Sequence, residues 1–304
     1  MKNLISISDL SREEILHILN LAEKIEAGTL KPDLNRKICV IAFIEESTRT
    51  VGSFRRAVLE MNGQMNEFLG KENNSINKGE DARDSIRTMA AYGDFVVMRV
   101  LEEGLPRIAS EITNKTIING GDGANQHPSQ ALLDVYAIQK TQGTLENLTI
   151  GFIGDLKNGR TVHSLVQAMS FFHPKFKFIS DPSLKIPASF TRELDEQGIE
   201  YEEITEMEDV LNELDICYMT RIQRNRFGDN EEEEYNRVKG RYILKASMLE
   251  NVKPNLKILH PLPRVDEIAR DVDKTPYAYY WEQLDGGIPI RKAIIYTCIL
   301  EEVK

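Results

Sequence analysis

Short β-branched and aromatic runs alternate along the chain with stretches whose apolar residues recur every three or four positions, the pattern of strands interleaved with helices. Ser11-Arg-Glu-Glu14 has the spacing of a capping box, and Ile15, Ile18, Leu19 and Leu21 behind it mark one helix face. Lys37–Phe43 reads as a buried strand, and Ser53–Met61 as a helix stopped near Gly63. Asp94–Met98 and Thr116–Ile118 read as further strands, separated by a helix over Leu105–Thr113. Pro128 suits the first turn of a helix that runs through Leu132, Leu133, Tyr136 and Ile138 to Gly143. A second series follows: strand Leu148–Ile153, a helix over Thr161–Phe171, strands Phe176–Ile179, Ile216–Met219 and Leu256–Leu259, and a last helix over Ala293–Val303. The expected fold is α/β, with two domains that are each a mostly parallel sheet flanked by helices and with the active site in the interdomain cleft. The boundary falls inside or just after the helix that Pro128 begins.

Composition narrows the function. A length of 304 residues suits about two domains. The net charge of -10 argues against a general binder of nucleic acid or of a membrane surface, both of which need a positive field. Cys39, Cys217 and Cys298 are widely spaced, which suggests neither a disulfide framework nor a zinc site. No stretch approaches the roughly 20 apolar residues of a membrane span. The first residues show no basic region followed by an apolar core, so the cytoplasm is the expected compartment.

Ligands of open α/β sheets bind beyond the carboxyl ends of the strands, so the residues after each expected strand carry the candidate chemistry. Glu45-Glu-Ser-Thr-Arg-Thr50 offers three hydroxyls, a guanidinium and the N–H groups of a helix start, which suit a phosphate. Arg99 follows Met98. His127 sits in a polar, glycine-rich segment just before Pro128, where a helix N-terminus favours a neutral imidazole that donates to a carbonyl oxygen. Gly154-Asp-Leu-Lys-Asn-Gly-Arg160 fails the dinucleotide fingerprint G-x-G-x-x-G, although Asp181 stands where a ribose acid would be. Arg221 follows Met219, and the prolines of His260-Pro-Leu-Pro-Arg264 leave carbonyls able to accept from an amine. Arginines 49, 99, 160 and 221 thus each follow a strand, which points to a phosphate on one side and carboxylates on the other. No nucleophile–base dyad or metal-ligand cluster stands out, so positioning and charge stabilisation are the expected means of catalysis.

Ser47-Thr-Arg-Thr50, Val97-Met-Arg99, Gly121-Asp-Gly-Ala-Asn-Gln-His-Pro-Ser-Gln130 and His260-Pro-Leu-Pro-Arg264 together resemble the carbamoyltransferases. Gly154–Ser164, Met219-Thr-Arg-Ile-Gln223 and Val265-Asp-Glu-Ile268 look like the aspartate-specific branch, and the resemblance spans nearly the whole chain. It implies transfer of a carbamoyl group from carbamoyl phosphate to the amine of L-aspartate, the committed step of pyrimidine synthesis, without cofactor or metal. By match to the motifs, Ser47, Thr48, Arg49, Thr50 and Arg99 bind the phosphate, His127 polarises the carbamoyl carbonyl, and Gln130 lies near the carbamoyl nitrogen. Ser75 and Lys78 match a loop that completes the neighbouring subunit's site, which implies a homotrimer and leaves separate regulatory chains open. Arg160, Arg221 and Gln223 hold the aspartate carboxylates, and the Leu262 carbonyl orients its amine. Residues 1–130, completed by a helix over 287–304, are then the carbamoyl-phosphate domain, and 131–286 the aspartate domain.

Four positions depart from the family pattern. Val51 and Arg55 replace an Arg and a Glu four apart on one helix, so an ion pair is lost from both sides together. Glu46 directly precedes the phosphate loop, where an inward carboxylate opposes an anion. Asn225 replaces an acid that orients the arginine matching Arg221, beside the run Glu231–Glu234, read as a solvated loop. These departures keep two alternatives in view: a carbamoyltransferase with a different amine acceptor, and a catalytically weak homologue acting as an assembly partner. Ornithine is the weaker substrate, because a cationic amine needs an acidic recognition element.

Overall fold

The computed structural model describes residues 1–70, 80–222, 224, 227 and 232–301. The chain forms two compact units, Met1–Tyr136 with Asp285–Lys304, and Ala137–Leu284.

The first unit is built on four parallel strands, β1 (Ile38–Phe43), β2 (Gln64–Leu69), β3 (Phe95–Val100) and β4 (Thr116–Asp122), in the order β2-β1-β3-β4. Its helices are α1 (Arg12–Glu26), α2 (Arg49–Glu60), α3 (Ala82–Ala91), α4 (Leu105–Ile112) and the start of α5 (Pro128–Gln142). The capping box is present: Glu14 N–H donates to Ser11 Oγ at 3.2 Å and Ser11 N–H to the Glu14 carboxylate at 2.9 Å. One sheet face packs Val40, Ala42, Val96, Met98 and Ile117 with Ile86, Met89, Leu105 and Ala109 of α3 and α4.

The second unit has five parallel strands, β5 (Thr149–Ile153), β6 (Lys175–Ile179), β7 (Tyr201–Ile204), β8 (Ile216–Met219) and β9 (Lys257–Leu259), in the order β7-β6-β5-β8-β9. Helices α6 (Arg160–Met169), α7 (Ala188–Gln197), α8 (Glu232–Val238) and α9 (Tyr280–Asp285) accompany them. Strand alternation sends Ile153, Ile179, Cys217, Met219 and Ile258 into one core. Phe152, Phe176, Phe178 and Tyr218 form a separate aromatic cluster with ring centroids 5.6–5.9 Å apart. Each such buried ring contributes about 1.5–3 kcal/mol. The chain then adds α10 (Gly287–Ile295) to the first unit, packed on α1 and α2. Among the described residues no helix is long and apolar enough to cross a membrane.

Both sheets change winding direction beside their first strand, at β1/β3 and at β5/β8. These are the switch points where flanking loops splay apart and leave room for a ligand.

Several elements differ from the sequence expectation. Helix α2 begins at Arg49 rather than Ser53, so the Ser47–Thr50 run is itself the helix start. Strand β4 continues to Asp122, and α10 starts at Gly287 rather than Ala293. The acidic run is not a loop in its described part: Glu232, Glu233 and Glu234 form the first turn of α8, where carboxylates favour the helix dipole. Strands β2 and β7 and helices α3 and α7 carry no strong apolar pattern. The two strands are sheet edges, and α7 buries only Leu194.

Candidate functional site

At the β1/β3 switch point, the backbone after β1 is fixed first. The N–H groups of Ile44 and Glu45 both donate to the Arg99 carbonyl, at 2.9 and 3.2 Å. The chain then turns through Ser47 and Thr48 into α2, with Thr50 N–H donating to Ser47 Oγ at 3.2 Å. Thr50 is buried, Ser47 and Arg49 are half-buried, and Thr48 is exposed. A helix N-terminus, the hydroxyls of Ser47, Thr48 and Thr50 and the Arg49 guanidinium thus stand where an oxyanion is best received.

Arg99, near the end of β3, reaches three neighbours. It donates to the Gly120 carbonyl at 3.2 Å and the Glu45 carboxylate at 2.8 Å, and lies 3.4 Å from His127 Nε2. An arginine only donates, so His127 Nε2 is the acceptor in this arrangement and its proton sits on Nδ1, 3.5 Å from Ser129 Oγ. Glu46, by contrast, is exposed. The acid that engages the arginine is Glu45, in the bend that follows β1.

The segment before His127 is braced by Asp122. Its carboxylate accepts from Asn119 Nδ2 at 2.9 Å, Gly104 N–H at 2.8 Å, Asn125 Nδ2 at 2.9 Å and Gln126 N–H at 3.1 Å. The sequence pattern, read as a polar, glycine-rich segment, assigned this buried acid no role. Gln130, one turn into α5, donates its Nε2 to Asp134 at 2.8 Å.

In the second unit, Gly154 ends β5 with φ +119, and a Cβ there would come within 2.5 Å of the Thr220 carbonyl, so only glycine fits. Asp155 accepts from Asn158 N–H at 3.0 Å and shapes the turn that delivers buried Arg160 to the start of α6. Thr220 closes the end of β8 through N–H and Oγ1 bonds to the Ile153 carbonyl at 2.8 and 2.9 Å, and half-buried Arg221 follows it. Arg160 and Arg221 therefore flank the β5/β8 switch point.

After β9, His260 and Glu267 form a buried pair at 2.6 Å, while the Leu262 N–H donates to His260 Nδ1 at 2.7 Å. The ring is therefore the neutral tautomer, with its proton on Nε2 and directed at Glu267. Burial lowers the His260 pKa below its ordinary value of 6.5. Burial pushes Glu267 upward, but the His260 bond and backbone donors outweigh it and hold the carboxyl below the usual range. The pair fixes Leu262, whose φ is +55, with its carbonyl preceding a cis bond to Pro263. Arg264 is held by Asp273 at 2.5 and 2.9 Å.

Asp181 is not a ribose acid. It is clamped by Arg237 at 2.8 and 3.0 Å and by Arg241 at 2.6 Å, and the bonds from Arg237 and from the Ser183 N–H and hydroxyl hold its carboxyl far below the usual carboxylate range. Arg55 pairs with Glu67 of β2 at 2.5 and 2.8 Å, so the helix arginine has a new partner across the sheet while Val51 is buried. All three cysteines are buried thiols, and burial pushes Cys217 up to about 12. Ser75, Lys78, Gln223, Asn225 and Glu231 lie outside the described residues.

Two switch points, one hydroxyl- and arginine-rich beside a histidine and the other flanked by arginines, are chemically suited to a phosphate and to carboxylates. The chain belongs to the aspartate/ornithine carbamoyltransferase family. The family's carbamoyl-phosphate-binding domain matches residues 2–140 and its aspartate/ornithine-binding domain residues 146–298. The aspartate carbamoyltransferase catalytic subunit of Parabacteroides distasonis is 50% identical over 295 residues, covering 97% of this chain and 96% of that protein. The Chromobacterium violaceum catalytic subunit is 47% identical over 302 residues, covering 99% of each. Among solved structures, the catalytic subunit of M. jannaschii aspartate transcarbamoylase superposes with a TM-score of 0.88 at 42% identity, covering 98% of both chains. The Trypanosoma cruzi aspartate transcarbamoylase, in complex with carbamoyl phosphate and aspartate, gives a TM-score of 0.90 at 32% identity, covering 99% of this chain and 97% of that one.

Proposed function

We propose that this protein transfers the carbamoyl group of carbamoyl phosphate to the amine of L-aspartate, giving N-carbamoyl-L-aspartate and phosphate. This is the committed step of de novo pyrimidine biosynthesis. The observation that carries the reading is the Arg99 cluster: a guanidinium 3.4 Å from His127 Nε2 and paired with Glu45, which lies between β1 and the Ser47–Thr50 helix start.

In the reaction, the uncharged amine of aspartate attacks the carbamoyl carbon. A C–N bond forms, the C–O bond to phosphorus breaks, and the amine proton leaves with the phosphate. Ser47, Thr48, Arg49, Thr50 and Arg99 take the phosphate oxygens and stabilise the charge that grows on them. Phosphate displaces Glu45 from Arg99, because it offers more charge and more acceptor oxygens. As Arg99 turns to the phosphate, His127 no longer needs its Nε2 lone pair. The ring then adopts the tautomer that donates from Nε2 to the carbamoyl oxygen. Gln130 meets the carbamoyl nitrogen, Arg160, Arg221 and Gln223 hold the two carboxylates of aspartate, and the Leu262 carbonyl orients its amine. Residues 1–130 with 287–304 serve carbamoyl phosphate, and 131–286 serve aspartate.

The active unit is a cytoplasmic homotrimer in which Ser75 and Lys78 complete a neighbour's site. Exposed Leu69, Tyr92 and Leu101 on the first unit support an assembly that covers them. Phosphate release from carbamoyl phosphate, compared with L-aspartate, L-ornithine and no acceptor, tests the reaction: release with ornithine but not aspartate would reassign the acceptor. Mixed trimers of His127→Ala and Lys78→Ala chains should regain activity. No recovery in verified mixtures would rule out the shared site.

A further inference from the structure

We propose that Asp134 and Arg291 are positioning residues that set which end of the Gln130 amide faces the substrate; the proposal rests on the carbamoyl-transfer reading. Gln130 and Asp134 are four apart on α5, on one helix face. Gln130 donates Nε2 to Asp134 Oδ1 at 2.8 Å, and Asp134 is fully buried. An ionised carboxylate only accepts, so it fixes the amide one way round: nitrogen toward Asp134, and Oε1 away from it. The outward end is then an acceptor. A carbamoyl –NH2 donates two hydrogens and, with its lone pair delocalised into the carbonyl, accepts poorly. An inverted Gln130 would set donor against donor.

Arg291 of α10 supplies the other half. Its guanidinium is wholly buried, and its Nε and Nη1 have no hydrogen-bond partner among the described residues. It lies 5.7 Å from the centre of the Phe54 ring, and a Cβ at Gly287, one turn earlier, would come 3.3 Å from Nη1. A buried cation so poorly hydrogen-bonded is a poor packing residue and calls for a reason. Burial lowers its pKa to about 10 against the opposing pull of Asp134, so it stays charged at neutral pH. The charges of Arg291 and Asp134 attract each other, which couples the arginine of α10 to the carboxylate that holds Gln130.

The test compares carbamoyl phosphate with acetyl phosphate, which carries CH3 in place of NH2 and cannot donate to Gln130. In one assay of carbamoyl transfer to L-aspartate, KM for carbamoyl phosphate and Ki for competing acetyl phosphate give a discrimination ratio that is independent of the folded fraction. Two variants each remove both buried charges together, which avoids stranding either one. Asp134→Leu/Arg291→Met leaves Gln130 without an anchor, and its ratio should fall about tenfold from the unmutated value. Asp134→Asn/Arg291→Met keeps a partner for Gln130, but one that can donate to Oε1 as well as accept from Nε2, so the amide is no longer fixed and the ratio should fall by about threefold or more. An unchanged ratio in either variant would overturn the proposal. Absence of carbamoyl-aspartate with the unmutated protein would instead overturn the functional reading.

Discussion

Each unit places an acid–base pair beyond a strand end, and the two pairs have different fates. Arg99 and Glu45 keep side-chain exposures of 12% and 17%, and Arg99 also lies 3.4 Å from His127 Nε2. Another anion can therefore reach the guanidinium and replace the carboxylate. His260 and Glu267 keep 1% and 6%, and both nitrogens of the ring are committed, one to Glu267 and one to the Leu262 backbone. Nothing from solvent can enter that pair without breaking it. In the proposed function, the first pair is a binding site whose own carboxylate stands in for the anion, and the second is a brace for a backbone carbonyl. A carboxylate beside a basic side chain thus serves recognition at the β1/β3 switch point, in the proposed function, and rigidity after the edge strand β9.

The largest effect should come from removing the exchangeable cation. Arg99→Ala is expected to lower kcat/KM for carbamoyl phosphate by on the order of 10²–10³, as loss of a charge-stabilising donor does, with little change in the urea midpoint. Next, Glu267→Leu should cost about 1–3 kcal/mol in urea unfolding by leaving the His260 N–H without an acceptor. Equal sensitivity of stability to both substitutions would erase the distinction between the pairs.

The buried pair also predicts a pH dependence. The folded protein resists protonating His260, whereas the unfolded chain takes up a proton as pH falls through 6.5. Stability from this group is therefore present above that pH and is lost below it. His260→Gln should flatten this part of the stability profile; a profile unchanged by the substitution would remove His260 as its source. Glu45→Gln should tighten inorganic phosphate binding about fivefold, the scale of a partly exposed ion pair, when measured by titration calorimetry. Glu46→Ala, at an exposed position, should change carbamoyl phosphate affinity by less than about twofold. A large change there would mean that Glu46, not Glu45, opposes the anion.

The sequence made the central strands and the arginines after them legible, because parallel strands buried on both faces read as apolar runs and their ends carry the ligand chemistry. Edge strands β2 and β7 escaped notice because Gln64–Leu69 and Tyr201–Ile204 are half solvated. The start of α2 was read four residues late, at Ser53, because Gly52 interrupts the first turn of a helix that begins at Arg49. The supporting acids were harder still. Asp122 and Glu267 act through bonds to backbone and side chains that spacing does not reveal. Only the Gln130–Asp134 interval carried a helical signature. Glu45 was visible as a residue, but its partner Arg99 lies 54 positions away and meets it only through the register of β1 and β3.

The central claim is that these residues make a bond between a carbamoyl carbon and the nitrogen of aspartate. The direct measurement uses carbamoyl phosphate labelled with carbon-13 and L-aspartate labelled with nitrogen-15, followed by NMR as the protein turns over. The expected result is a carbonyl resonance split by one-bond coupling to nitrogen-15, growing as phosphate is released and absent when L-ornithine replaces aspartate. Phosphate release without that coupled signal would contradict the account.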